Sequence, residues 1–122
     1  MLNTEEKTQA VVAALEEIKA ANITVIDTSK LSNLFDRMII ASANSTRQTK
    51  ALADNVVVKL KEKGEIVLGR EGEDSGEWIL VDLDEVLVHI MQPAIREYYN
   101  LEELWSKAQN ARPKLAGSPD GK

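Results

Sequence analysis

The segment from Gly76 to Met91, GEWILVDLDEVLVHIM, constrains the fold most strongly, because apolar and polar side chains alternate along two short runs within it. Side chains of a strand point alternately to opposite faces, so this pattern is typical of strands. Only Asp84 and Glu85 separate the runs. The spacing therefore predicts strands from Glu77 to Leu83 and from Val86 to Met91, joined by a two-residue turn.

Counting outward from this turn predicts which side chains face each other across the two strands. One face is purely aliphatic, with the pairs Leu83 and Val86, Val81 and Val88, and Ile79 and Ile90. The opposite face carries Asp82 beside Leu87, Leu80 beside His89, and Trp78 beside Met91. This second face is too apolar for open solvent, yet it contains two polar groups. Three interpretations remain open: the chain's own helices cover it, another protein binds it, or it is catalytic.

The rest of the chain alternates between helical and strand patterns. Helices are predicted from Thr4 to Ala21, from a capping box at Ser45 to Gly64, from Pro93 to Tyr98, and from Asn100 to Trp105; further strands are predicted at Ile23 to Asp27, Arg37 to Ala43 and Glu65 to Arg70. This order predicts a single α/β (α+β) domain at residues 1–106, with a mixed sheet of about five strands flanked by helices. The Pro, Gly and Ser content of residues 107–122 predicts a disordered tail.

Composition and charge narrow the class of partner. The chain has no Cys, which excludes a disulfide framework and a thiolate site and fits a reducing cytosol. Its N-terminus is acidic, and no apolar run approaches the roughly 20 residues that span a bilayer, so a cytoplasmic protein without membrane contact is expected. A net charge of −5 disfavours direct nucleic-acid binding and favours a basic partner. Seven acidic residues lie in one segment that has no Lys or Arg: Glu71, Glu73, Asp74, Glu77, Asp82, Asp84 and Glu85.

Two arrangements suggest chemistry, and neither is specific. Asp82 and Asp84 resemble a metal-binding carboxylate pair, to which Asp27 and Asp36 would add ligands for a Mg²⁺-dependent nucleotidyl transfer. No Gly-rich phosphate loop precedes a helix, however, and a Ser45 nucleophile would need the only His close by. We therefore expect no catalytic residues, no metal and no cofactor.

The segment REYYNLEELW, Arg96 to Trp105, concentrates both Tyr residues and the second Trp. Such a helix is typical of one that packs its aromatic side on a sheet. The alternative is that exposed members of the segment extend the second face of the strand pair.

Three segments taken in order, FDRMIIASANSTRQ, EGEDSGEWILVDLDEVLVHIM and PAIREYYNLEELW, resemble the ribosomal silencing factor family, also called the Iojap family. The resemblance runs from about Thr4 to Trp105. It implies a fold related in shape to nucleotidyltransferases but without their catalytic carboxylates. It also implies binding to the large ribosomal subunit through its fourteenth protein, which blocks joining of the small subunit and represses translation under nutrient limitation.

The resemblance carries over to particular positions of this chain. The family's characteristic residues correspond to Trp78, Asp82, His89, Arg96, Tyr98, Tyr99, Leu101, Glu102 and Trp105. The chain departs from the pattern at Asp84 and Glu85, where Gly-Asp is more common, and at Ala43, where Gly is expected.

We predict a partner-binding surface with an acidic rim on the second face of the strand pair. The surface comprises Trp78, Leu80, Asp82, Leu87, His89, Met91, Tyr98 and Tyr99, and the rim comprises Glu71, Glu73, Asp74 and Glu77. The predicted partner is a basic protein of the large subunit, and a homodimer through the same apolar face is expected when that partner is absent. A Mg²⁺-dependent nucleotidyltransferase-like enzyme and a self-associating structural module remain as alternatives.

Overall fold

The computed structural model describes residues 1–105. Its elements, in chain order, are α1 (Thr4–Glu17), β1 (Ala21–Asp27), β2 (Arg37–Ser42), α2 (Thr46–Glu62), β3 (Gly69–Glu71), β4 (Trp78–Asp82), β5 (Val86–Met91) and α3 (Pro93–Tyr99). Residues 101–105 are also helical. The predicted tail at residues 107–122 lies outside the described residues.

The five strands form one mixed sheet in the order β1-β2-β5-β4-β3. Strands β2 and β5 pair in parallel, whereas β1 with β2, β3 with β4, and β4 with β5 pair antiparallel. A parallel pair needs a long crossover connection, and here α2 and the β3–β4 segment lie between β2 and β5 in the chain. The predicted fold class, one domain with a mixed sheet of five strands and flanking helices, is confirmed.

The helix ends follow local hydrogen bonding. Asn3 caps α1 in a reciprocal capping box with Glu6. Ser45 caps α2 as predicted, but the predicted capping box is incomplete, because Gln48 Oε1 accepts from the Asn44 N–H and not from that of Ser45. Gly64 follows the helix with a φ of +85°, a conformation that glycine adopts without strain. The prediction for the end of α1 was too long: the helix stops at Glu17, and Lys19 turns the chain into β1 with a φ of +63°.

The third strand also differs from its prediction, because it begins at Gly69 and not at Glu65. The Glu65 side chain is buried, and its carboxylate accepts a hydrogen bond of 2.7 Å from the backbone N–H of Leu2. Val67 packs against the core. Tertiary contacts therefore hold this segment out of the sheet until Leu68 donates its N–H to the Asp82 carbonyl at 2.8 Å.

Helices α1 and α2 cover one face of the sheet, which we call the inner face. Its buried core includes Val11, Leu15, Ile39, Leu52, Val56, Leu60, Ile79, Val81, Val88 and Ile90. Burying a side chain of this size stabilises the fold by roughly 1.5–3 kcal/mol. The aliphatic face predicted for the strand pair is therefore core, and the opposite, outer face remains for function.

A buried charged cluster fixes the turn between β4 and β5 to α1. Lys7 is 4% exposed, and its Nζ lies 2.7 Å from Glu85 Oε1 and 3.1 Å from Glu65 Oε1. Lys7 also donates to the Leu83 carbonyl at 3.1 Å. Burial alone opposes the charge of Lys7, but the hydrogen bonds to the two carboxylates outweigh it and raise the lysine pKa.

Candidate docking face

The outer face is set by the register of the β4–β5 hairpin, and the predicted register is confirmed. Trp78 lies opposite Met91, Leu80 opposite His89, and Asp82 opposite Leu87. The Leu83 N–H donates to the Val86 carbonyl at 3.0 Å, which closes the two-residue turn. The side chains that sequence alternation assigned to one face therefore do share one face.

Helical cover of the outer face is restricted to one part of it. Met38, Ile40 and Met91 form a small second core, and Ile26, Phe35, Trp78, Ile95, Leu101 and Trp105 pack against it. Met91 is 0% exposed. We expected Met91 to be an apolar anchor at the surface, but residues of α3 and of the 101–105 helix cover it, so its side chain supports the surface from beneath.

Arg96 of α3 fastens this cover to the sheet. Its guanidinium donates to Ser42 Oγ at 2.8 Å and to Thr24 Oγ1 at 3.0 Å, and Nη2 lies 2.7 Å from Glu102 Oε2. The hydrogen bonds from Arg96 hold the pKa of the Glu102 carboxyl below its usual value. Because one side chain joins β1, β2 and the residues after α3, Arg96 and Glu102 maintain the fold here.

The remainder of the outer face, which we call the open half, lies over β4 and the beginning of β5. Trp78, Leu80, Asp82 and Leu87 are all partly exposed there. The Tyr99 ring lies 4.9 Å from the Trp78 ring, and Tyr98 packs edge-on against Tyr99 at 5.0 Å. Tyr98 is 80% exposed and Tyr99 is 51% exposed, whereas Trp105 packs inward. Both alternatives for this segment therefore apply, because Tyr98 and Tyr99 extend the exposed aromatic surface.

Beneath the open half, His89 forms a hydrogen bond with Trp78. The indole Nε1–H donates to His89 Nδ1 at 2.9 Å. His89 is only 8% exposed, and burial lowers its pKa to about 4. The imidazole is therefore neutral at physiological pH and holds the Trp78 ring in one orientation.

The acidic rim follows the edge strand β3. Glu71, Asp74 and Glu77 are exposed, and Glu73 is partly exposed and paired with Arg70. Arg70 also lies 3.0 Å from Asp54 of α2. The carboxylates of the rim therefore place negative charge around the open half, while Arg70 is held by acidic partners.

Gly72 belongs to this surface although the sequence analysis did not single it out. It has a φ of +93°, and a Cβ at this position would lie 1.9 Å from the Trp78 carbonyl oxygen. Only glycine fits so close to the strand. The sequence signal was the glycine within GREGEDSGE, which indicated a loop but not a close approach to Trp78.

The candidate chemical groups take part in local structure. Asp82 Oδ1 accepts the backbone N–H of Asp84 at 2.9 Å, and Ser45 Oγ accepts from Gln48 N at 3.1 Å. Asp27, bonded to Ser29 and Arg37, lies on β1, three strand positions from β4, or about 14 Å at the usual strand spacing. Within residues 1–105 no three His, Asp or Glu side chains are arranged to hold a metal ion.

No helix among residues 1–105 combines the length and apolar character needed to span a membrane.

The chain is similar to known proteins over most of its length. A family model described as "Ribosomal silencing factor during starvation" matches residues 2–120. A ribosomal silencing factor of Chromobacterium violaceum is 52% identical over 104 residues, which cover 85% of each chain. One of Haemophilus influenzae is 41% identical over 92 residues, which cover 75% of this chain and 90% of the relative.

A solved structure has the same fold. The crystal structure of a protein from Chromobacterium violaceum superposes with a TM-score of 0.85 at 51% identity and covers 86% of this chain and 88% of that one. Because the family model spans nearly the whole chain and these relatives cover most of it, the chain belongs to the ribosomal silencing factor family.

Proposed function

We propose that this chain binds the large ribosomal subunit through its fourteenth protein and so prevents the small subunit from joining. Translation is thereby repressed under nutrient limitation, in the cytoplasm. Membership of the ribosomal silencing factor family supports a ribosomal partner. The observation that carries the docking mode is the open half, where a tryptophan and two leucines remain partly exposed beside an acidic rim.

The proposed contacts divide by chemistry. The apolar and aromatic anchors are Trp78, Leu80, Leu87, Tyr98 and Tyr99. Aromatic residues dominate the energy of protein interfaces. Asp82 and the rim residues Glu71, Glu73, Asp74 and Glu77 orient a basic partner. His89 lies beneath Trp78 and accepts the hydrogen bond from its indole.

Charge favours a protein partner over ribosomal RNA. Residues 71–95 contain seven carboxylates and no Lys or Arg, and burial keeps His89 neutral. The phosphates of RNA are repelled by such a segment, whereas a basic protein is attracted. Inhibition needs no chemistry, because a domain of this length is roughly 30 Å across and fills a gap between subunits by occupancy alone.

The experiment is sedimentation of purified ribosomal subunits with the full chain. We expect the wild-type protein to migrate with the large subunit and Trp78→Ala to stay at the top of the gradient, since truncating a central aromatic anchor costs about 2 kcal/mol or more. Val58→Ala is the matched control, because Val58 is 49% exposed on α2, away from the outer face. Wild-type protein that stays at the top rejects the ribosomal role. Co-migration of Trp78→Ala rejects docking through this face.

The same apolar surface carries the proposal that the free chain pairs as a homodimer, because partly exposed Trp78, Leu80 and Leu87 lie contiguously on two strands. Analytical ultracentrifugation tests it: a dimer that Trp78→Ala converts to monomer supports pairing through the open half. A wild-type monomer at high concentration contradicts it.

A further inference from the structure

A shallow depression of about 270 Å³ lies within the open half. Glu71, Gly72, Trp78, Leu80 and His89 line it. Leu80 and His89 face each other across the hairpin, and Glu71 faces Leu80 from the edge strand. The depression therefore has apolar walls, one carboxylate at its edge and one imidazole.

The hydrogen bond from Trp78 determines where His89 carries its proton. An indole N–H is only a donor, so His89 Nδ1 must be the acceptor of the 2.9 Å bond. In a neutral imidazole the proton then lies on Nε2. Within residues 1–105, buried Nε2 has no hydrogen-bond partner. A buried donor without an acceptor costs free energy, which an incoming acceptor would recover.

The charges around the depression restrict what that acceptor is. The charged end of a Lys or Arg side chain carries only donors, so it cannot accept a hydrogen bond from His89 Nε2. An anionic acceptor is disfavoured because Glu71 lines the depression and residues 71–95 carry seven carboxylates. A neutral oxygen remains. A basic side chain beside that oxygen would in turn pair with Glu71.

We propose that the depression receives a neutral oxygen of the bound basic protein, a main-chain carbonyl or an amide or hydroxyl oxygen, to which His89 Nε2 donates. The inference rests on the proposed docking function and specifies one hydrogen bond of the docked complex. Leu80 is partly exposed, and a change of its rotamer admits the oxygen to the shielded nitrogen while Trp78 keeps its hydrogen bond to Nδ1.

The proton position is tested on the full chain without any partner. His89 is the only histidine, so ¹⁵N-labelled imidazole gives one set of nuclear magnetic resonance signals. At pH 7 we expect the neutral form with the proton on Nε2. A proton on Nδ1 overturns the proposal, because Nε2 would then be unable to donate.

The contact is tested by the affinity for purified large ribosomal subunits. His89→Gln keeps an N–H donor and an acceptor for Trp78, whereas His89→Leu removes both. We expect His89→Leu to bind about ten- to hundredfold more weakly than wild type and His89→Gln to recover most of that loss. Thermal melting of each variant verifies its fold.

The outcomes separate this contact from the docking function. Equal affinities of His89→Gln and His89→Leu, whether tight or weak, overturn the role of the Nε2–H donor. Binding of the wild-type chain in the same experiment leaves the docking function intact. Absence of wild-type binding rejects the docking function itself.

Discussion

Lys7 in α1 and Glu85 in the β4–β5 turn form a 2.7 Å ion pair that joins the first helix to the hairpin of the outer face. Both Lys7 and its second partner Glu65 are 4% exposed. Lys7 is the cation that both carboxylates share. The pKa of Glu65 is lowered by the hydrogen bond from Leu2 together with the Lys7 charge, and that of Glu85 is lowered by Lys7 against the effect of burial.

Replacing Lys7 with Met should therefore destabilise the fold. The change leaves two carboxylates close together without a cation, and removing one partner of a buried ion pair costs about 3–5 kcal/mol. Urea denaturation monitored by circular dichroism measures the loss. Lys61→Met, at an exposed position of α2, is the control and should change the free energy of unfolding by less than about 0.5 kcal/mol. Equal stability of the two variants would show that the cluster contributes little.

Stability should fall with acidity because of His89. Burial lowers the pKa of His89 from its ordinary 6.5 to about 4 in the folded chain, so the unfolded chain binds the extra proton first. The stability that the neutral imidazole preserves is fully present above pH 6.5 and is lost as the pH falls towards 4. The total loss in the free energy of unfolding is about 3 kcal/mol, at 1.36 kcal/mol per pKa unit.

Urea unfolding at pH 7, 6 and 5 measures this loss, and His89→Gln is the matched variant because glutamine does not titrate. We expect the wild-type chain to lose more stability than the variant over this interval. Parallel curves would mean that the imidazole titrates normally in the folded chain. The lowered pKa values of Glu65 and Glu85 produce losses below pH 4.5, outside this window.

Replacing Asp84 with glycine should stabilise the hairpin turn. Asp84 has a φ of +79°, a left-handed conformation in which a Cβ is strained, at the first turn position where two-residue hairpins favour Gly. Asp84→Gly should therefore raise the free energy of unfolding by about 0.5–1 kcal/mol, after the entropic cost of glycine. Asp84→Ala retains the Cβ and should not raise it. A glycine variant less stable than wild type would indicate that the Asp84 side chain stabilises the turn more than its backbone strain costs.

The acidic rim should govern how fast the chain meets its proposed partner. Asp74→Asn combined with Glu77→Gln removes two exposed charges beside the open half. We expect association with the large subunit to slow several-fold at low salt and dissociation to change little, because rim charges act mainly on encounter. Glu16→Gln with Glu62→Gln removes the same charge from the helical side. Identical association rates for the two double variants would show that net charge, not its position, matters. Stopped-flow kinetics at two salt concentrations distinguishes them.

Sequence reasoning predicted the hairpin well because its signals are local. The two-residue spacing at Asp84 and Glu85 set the register, and period-two alternation sorted Ile79, Val81 and Val88 from Trp78, Leu80 and His89. A cap at Ser45 and a left-handed Gly64 bounded α2 for the same reason.

The features that sequence reasoning missed depend on contacts between distant segments. Alternation identifies two faces of a strand but not which of them another segment covers, so the burial of Met91 under residues of α3 and of the 101–105 helix was not predicted. Glu65 was assigned to a strand because nothing local shows that its carboxylate turns inward to Lys7 and Leu2. Arg96 was noted only through resemblance, and its bridge to Thr24 and Ser42 spans most of the chain.

The helical cover ends partway across the outer face, and this divides one β-ribbon into two regions with separate tolerances. At Met91, which is completely enclosed, a change of side-chain volume is felt by the whole fold. At Leu80, which is partly exposed on the same face, the same change alters mainly the surface that an incoming molecule meets. Affinity for the proposed partner is therefore adjustable in the open half without loss of the fold.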